Sequence, residues 1–143
     1  MTDQQARWYT AGDIAELVPP ERARHLIQKS LLEGFEPADD PARVNVPAGE
    51  GHLLLMPSTI GAWTGVKVAS VAPGNPTVGL PRIQATYLLL DSATLSTRAL
   101  MEGSMLTELR TPAVSAVAAD ALAPAAATHL LVFGTGPQAI SHV

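Results

Sequence analysis

An apolar run, Leu130-Leu131-Val132-Phe133, leads directly into Gly134-Thr135-Gly136-Pro137-Gln138-Ala139, and the sequence stops at Val143. A short apolar strand feeding G-x-G-x-x-A is how a dinucleotide-binding strand–turn–helix opens. The glycines let the backbone approach a pyrophosphate, the helix N-terminus favours its charge, and Ala139 suits close packing of helix on sheet. The fingerprint ordinarily sits in a βαβ unit of about 30 residues, with an acidic residue ~20 positions further on. The expectation is therefore the front part of a longer two-domain protein. Residues 1–124 would form one domain with its connecting helix, and residues 125–143 the first strand and turn of a nucleotide-binding domain. Glycine turns are common, so it is the preceding apolar run that favours the cofactor reading over an ordinary tight turn.

Composition narrows the function classes. A hydrophobic content of 47% against 15% charge describes a folded chain. The net charge of −4 offers no basic face for nucleic acid. Cysteine is absent, which excludes disulfides and any thiolate ligand or nucleophile. The opening MTDQQARWYT lacks the apolar core of a signal peptide, and Asp120, Pro124 and His129 interrupt the alanine-rich stretch that ends at Phe133. The expectation is a soluble, cytoplasmic protein with no membrane partner. The four histidines have no metal-ligand spacing, and no metal is assigned.

Along the chain, Thr10 and Asp13 suggest a capped helix over Gly12 to Val18, and Pro20 can open a second. In the second, Ala23, Leu26, Ile27, Ser30, Leu31 and Gly34 share one helical face. An extended segment, Arg43 to Val46, precedes three stronger strand candidates: His52 to Met56, Trp63 to Val71, and Ile83 to Leu90. Ala99 to Glu102 adds a short one. Strands that follow one another without intervening helices imply an α+β fold with a mixed or antiparallel sheet. Thr111-Pro112 reads as a cap and first helical position, opening an Ala-rich helix through Leu122.

Three residues stand out for chemistry. Lys67 interrupts the apolar strand Trp63 to Val71, and alternation puts Gly65, Lys67 and Ala69 on one face. With small neighbours its amine has room, and desolvation there would lower its pKa toward proton-transfer or imine chemistry. A solvated lysine on an open sheet face is the competing reading. Arg43 and Arg110 are candidate clamps for a carboxylate or phosphate, because the guanidinium fork holds such groups bidentately. Arg110 would stand just before the Thr111-Pro112 helix start, where free N–H groups also attract anions. On residue type alone either arginine is more often a surface residue, and Arg82 carries the same ambiguity.

Taken in order, Leu55-Met56-Pro57, Gly65-Val66-Lys67, Pro73-Gly74-Asn75-Pro76, Gly79-Leu80-Pro81, Leu109-Arg110-Thr111-Pro112-Ala113 and the Gly134 to Ala139 loop resemble the ornithine cyclodeaminase/mu-crystallin family. The resemblance runs from about residue 10 to the end. It implies an N-terminal substrate and dimerisation domain before a Rossmann domain, in a homodimeric enzyme using NAD(H) or NADP(H) on an amino or imino acid. By position it makes Arg43 and Lys67 the substrate-carboxylate arginine and the active-site lysine. It puts Arg110 and Thr111 near the substrate carboxylate and the cofactor phosphates, and Gly134, Gly136, Gln138 and Ala139 in the pyrophosphate loop. Leu54 replaces a glutamate of true ornithine cyclodeaminases, Arg82 replaces a small polar residue, and Thr94-Leu95 replaces the usual Thr-Gly. These departures favour a ketimine or cyclic imine reductase, or another activity of the family, over strict ornithine cyclisation. The alternative is a catalytically inactive product that dimerises or binds at most. Residues 1–143 alone are expected to bind NADPH negligibly.

Overall fold

The computed structural model describes residues 6–143. The first residues of the opening segment, read above for a leader, lie outside that range. Thr10 caps α1 (Ala11–Leu17), one residue earlier than the expected start. The Asp13 N–H donates to the Thr10 hydroxyl at 3.2 Å, and the Asp13 carboxylate accepts from the Thr10 backbone N–H at 2.8 Å. Pro20 opens α2 (Pro20–Leu32), where its missing N–H costs nothing. Of the face marked by periodicity on α2, Ala23 is buried, while Leu26 and Leu31 stay 45% and 39% exposed.

Six strands form one mixed sheet: β1 (Arg7–Tyr9), β2 (Val44–Ala48), β3 (Gly51–Ile60), β4 (Trp63–Val71), β5 (Ile83–Asp91) and β6 (Thr97–Glu102). Their order across the sheet is β1-β6-β5-β4-β3-β2, with β1 parallel to β6 and every other pair antiparallel. The expected strands are present, and β3 runs four residues past Met56 to Ile60. Three residues, Arg7 to Tyr9, are too few for alternation to announce β1. Its pairing with β6 exists only in the tertiary structure.

Two expectations are corrected. Thr111-Pro112 does not start the third helix. α3 runs Gly103–Leu122 and contains Pro112 in its interior. The true cap is Glu102, whose carboxylate accepts from the N–H groups of Ser104 (3.0 Å) and Met105 (2.6 Å). An interior proline costs a helix roughly 3 kcal/mol, and the buried side chains Leu109 and Ala113 on either side of it offset that cost. Nor is Leu130 to Phe133 a strand. It pairs with nothing among the described residues, and Leu130, Leu131 and Phe133 are 73%, 75% and 89% exposed. A parallel strand has no internal hydrogen bonds, so without flanking strands nothing holds it in a ladder. The turn beyond it does form a helix, α4 (Pro137–Ser141), joined to α3 by a 2.9 Å hydrogen bond between Ser115 Oγ and His142 Nε2.

Helix α3 lies on the sheet face of Ala69 and Ala85, with α1 and α2 packed on it. Arg24 of α2 pairs with Asp120 at the far end of α3. In the β5–β6 turn, hydrogen bonds from Arg98 and Thr94 hold the Asp91 carboxyl down at about 2. The same turn forces Leu95 to φ 55°. A left-handed conformation costs a leucine about 1–2 kcal/mol, and glycine gives back part of that gain in unfolded-chain entropy. Leu95→Gly is therefore expected to stabilise the chain by about 0.5–1 kcal/mol, measured as a rise in the urea midpoint.

Candidate active site

The register of the sheet builds one row of side chains. Met56 of β3, Lys67 of β4, Tyr87 of β5 and Met101 of β6 are successive cross-strand partners. Partners in an antiparallel pair share a face, so all four point toward α3. The β2–β3 register pairs Val44 with Leu55. Extending it by one residue brings Arg43, which precedes β2, beside Met56. On α3, Thr107 and Arg110 are three residues apart and so share one side of the helix.

Lys67 is 9% exposed, which overturns the reading of a solvated lysine. Its Nζ donates to Thr107 Oγ1 at 3.1 Å, and that hydroxyl donates to the Gly103 carbonyl at 2.8 Å. Burial, with the charges of Arg110 and then Arg43 adding to it, lowers the lysine from 10.5 to about 8. Desolvation and Arg43 also lower the pKa of Arg110. Three cations thus meet beside α3, and among the described residues none has a carboxylate in an ion pair.

Arg110 does not stand at a helix start. It lies in the middle of α3, its backbone N–H within the helix, and contributes its guanidinium alone. Thr111 follows it inside the same helix, and its carbonyl accepts from Ser115 Oγ at 3.2 Å. Tyr87 belongs to the cluster and was not anticipated. Its hydroxyl lies where a side chain on Gly65 would be, 2.1 Å from the position of a Cβ there. Burial raises the tyrosine pKa, Arg110 opposes that rise and Asp40 adds to it. Gly65-x-Lys67 was the local signal for that space, but only the β4–β5 register says what fills it. Leu54 pairs with Ala69 and faces the same side as Met56 two residues on, an apolar surface beside the cations. Arg82 is exposed at the entry to β5, its carbonyl accepting from the Ala72 N–H, and the structure does not bring it to Lys67.

The glycine loop follows α3 in the chain, and its Pro137 lines a cleft together with Ser104, Met105 and Glu108 of α3. Gly134 has φ 114° and Gly136 precedes α4 with nothing within 4 Å of a would-be Cβ, while Ala139 approaches Gly134. That open backbone, with a left-handed turn only glycine takes readily, fits a pyrophosphate. Gln138 and Ala139 form the first turn behind it. A hollow of about 530 Å³ adjoins the loop, lined by Leu130, Val132 and Ile140 among others. A separate open cleft of about 880 Å³, with Trp8, Gln84, Thr86, Glu102, Ser104 and Glu108 on its walls, does not include Lys67 or the two arginines.

Comparisons with known proteins identify the family. The model of the ornithine cyclodeaminase/mu-crystallin family matches residues 17–143. Delta(1)-pyrroline-2-carboxylate reductase 2 of Burkholderia ambifaria is 38% identical over 103 residues, 71% of this chain and 33% of the relative. Ketimine reductase mu-crystallin of Mus musculus is 36% identical over 135 residues, 88% of this chain and 41% of the relative. The chain thus spans a third to two fifths of the length of these relatives. Among solved structures, an archaeal alanine dehydrogenase dimer with bound NAD superimposes with a TM-score of 0.84 at 26% identity, covering 95% of this chain and 43% of that one. Thermococcus litoralis Delta(1)-pyrroline-2-carboxylate reductase, in complex with NADH and L-proline, gives 0.72 at 32% identity, with 82% and 38% covered. The family match takes in the strand row, the cation cluster and the glycine loop together, and on that ground the chain belongs to the ornithine cyclodeaminase/mu-crystallin family.

Proposed function

We propose that this chain supplies the substrate-binding part of an NAD(P)-dependent reductase acting on cyclic or open-chain imino acids. The observation that carries the reading is the convergence of Lys67, Arg43 and Arg110, none of them in an ion pair with a carboxylate among the described residues. A buried ammonium beside two exposed guanidinium groups is repelled by both, so the cluster is stable chiefly when an anion joins it. A substrate carboxylate supplies that anion, held by the forks of Arg43 and Arg110. Lys67, mostly protonated at neutral pH but close to its pKa, transfers a proton at the substrate nitrogen. The bound nicotinamide supplies the hydride. Gly134, Gly136, Gln138 and Ala139 would hold its pyrophosphate, with Arg110 and Thr111 toward the phosphate side.

Leu54 favours reduction over ornithine cyclisation, because an apolar residue beside the cations offers nothing to a distal ammonium group. The proline-bound and pyrroline-carboxylate relatives support the same choice.

The sheet face away from α3 carries Leu53, Leu55, Val66, Val68, Leu88 and Leu100, all only half-buried and covered by no helix among the described residues. A second copy packed on that face would give a homodimer, and the alanine dehydrogenase neighbour is a dimer. Two measurements test the reading. Delta(1)-pyrroline-2-carboxylate should be reduced with NADH or NADPH by the protein in its natural length. L-proline should bind the 143-residue chain, detected by calorimetry, with at least a tenfold loss in Arg43→Ala and Arg110→Ala. Unchanged binding in both variants would sink it.

A further inference from the structure

Thr107 sits between two groups that claim its hydroxyl. Its single proton goes to the Gly103 carbonyl, one helical turn back, at 2.8 Å. Toward Lys67 Nζ, 3.1 Å away on β4, it is therefore left with lone pairs only. Among the described residues, the other charged or titratable groups around the amine are Arg43 before β2, Arg110 on α3 and Tyr87 on β5, with Asp40 acting on the tyrosine. The arginines are donors, and the structure gives the tyrosine no hydrogen bond to the amine. Thr107 Oγ1 is the acceptor the amine has among the described residues.

We propose that Thr107 is a positioning residue that ties one N–H of Lys67 to the protein, so that the amine's other two positions face the site. The inference rests on the reading of Lys67 as the proton-handling group. An ammonium has three N–H bonds. With one held by Thr107, two are free for the substrate carboxylate and nitrogen. When a proton leaves, it leaves from an untethered position, because the tethered one keeps its acceptor. The lone pair then opens on the substrate side. The hydrogen bond also spans β4 and α3, forty residues apart, so it sets the distance between the lysine and Arg110 on the same helix.

The composition of the chain makes the test clean: its lysines are Lys29 and Lys67 alone. Trace acetylation from roughly pH 6 to 11 spans the ordinary and lowered lysine values, and peptide mass spectrometry then follows each amine. Exposed Lys29 is the internal reference. Thr107→Val keeps the shape and removes the acceptor. It is expected to lower the Lys67 pKa by about one to two units, the size of one hydrogen bond to a charged group. Thr107→Ser restores the wild-type value, and Lys29 does not move in either. Thr107→Ala gives the same readout without a branched side chain if valine disturbs the helix, as judged by circular dichroism.

In the protein of natural length, kcat falls about tenfold in Thr107→Val, with KM changed less, and Thr107→Ser recovers it. A Lys67 titration unchanged in the valine and alanine variants, or not restored by serine, overturns the proposal. Absence of imine reduction by the wild-type protein would instead refute the proposed function, and the titration of the amine reports on Thr107 either way.

Discussion

Lys67→Met is expected to abolish turnover and, at neutral pH, to make the protein more stable. Loss of a positioned proton-transfer group ordinarily costs 10²–10⁴ in rate, so a fall in kcat/KM of about three orders of magnitude is expected. The gain in stability follows from the buried amine. Its pKa drops from 10.5 to about 8 on folding. Between those values the unfolded chain binds more protons than the folded one, so stability rises with pH across this window. Below about 8 the folded protein carries the whole penalty of a desolvated ammonium beside two arginines. The full shift is discounted because the cluster opens to solvent at Arg110, which leaves about 1–3 kcal/mol at pH 7. Methionine of similar length removes that penalty and forfeits only the hydrogen bond to Thr107. Urea unfolding of both proteins should show the variant ahead at neutral pH and the gap closing as pH approaches 10.5. Equal stability at pH 7 would mean that the amine is not desolvated in solution.

Gly103→Ala is expected to strike the fold and the site together. A Cβ there would lie 2.8 Å from the Ala85 Cβ, 2.9 Å from its carbonyl carbon and 3.0 Å from its oxygen. Two of those atoms are backbone of β5, an inner strand of the sheet, and cannot swing away. The first turn of α3 must lift instead, at a cost of about 1–3 kcal/mol. Thr107 bonds the Gly103 carbonyl and Arg110 follows one turn later, so both shift relative to Lys67. Thermal unfolding should register the loss, and substrate binding should weaken with it. Gly74→Ala is the control, since nothing lies within 4 Å of its would-be Cβ. A change within about 0.5 kcal/mol is expected there.

Much of the architecture was legible because its signals are local. The Thr10–Asp13 cap, the proline at the start of α2 and the alternation of Trp63 to Val71 each depend on residues within one turn or one strand. The start of α3 was misread for the same reason. Thr111-Pro112 carries a good local cap signature, but Glu102 caps earlier, and packing of Leu109 and Ala113 carries the helix through the proline. Periodicity through Leu106, Leu109 and Ala113 was the available warning. For the site, Arg43, Lys67 and Arg110 were named from residue type and resemblance. Tyr87 and Thr107 were missed because their place depends on a strand register and a helix position that no short motif states.

The sequence by itself determined α1, α2 and the strands β3 to β6, where the glycines permit turns, and which family motifs stand in which order. The tertiary structure alone decided which sheet face α3 covers, and with it that Lys67 is buried among cations rather than solvated. It also decided that Leu130 to Phe133 stays unpaired in this chain. The physical reason is range. Capping and alternation are settled within a few residues, whereas desolvation of an amine and pairing of a parallel strand depend on groups that only the folded chain brings together.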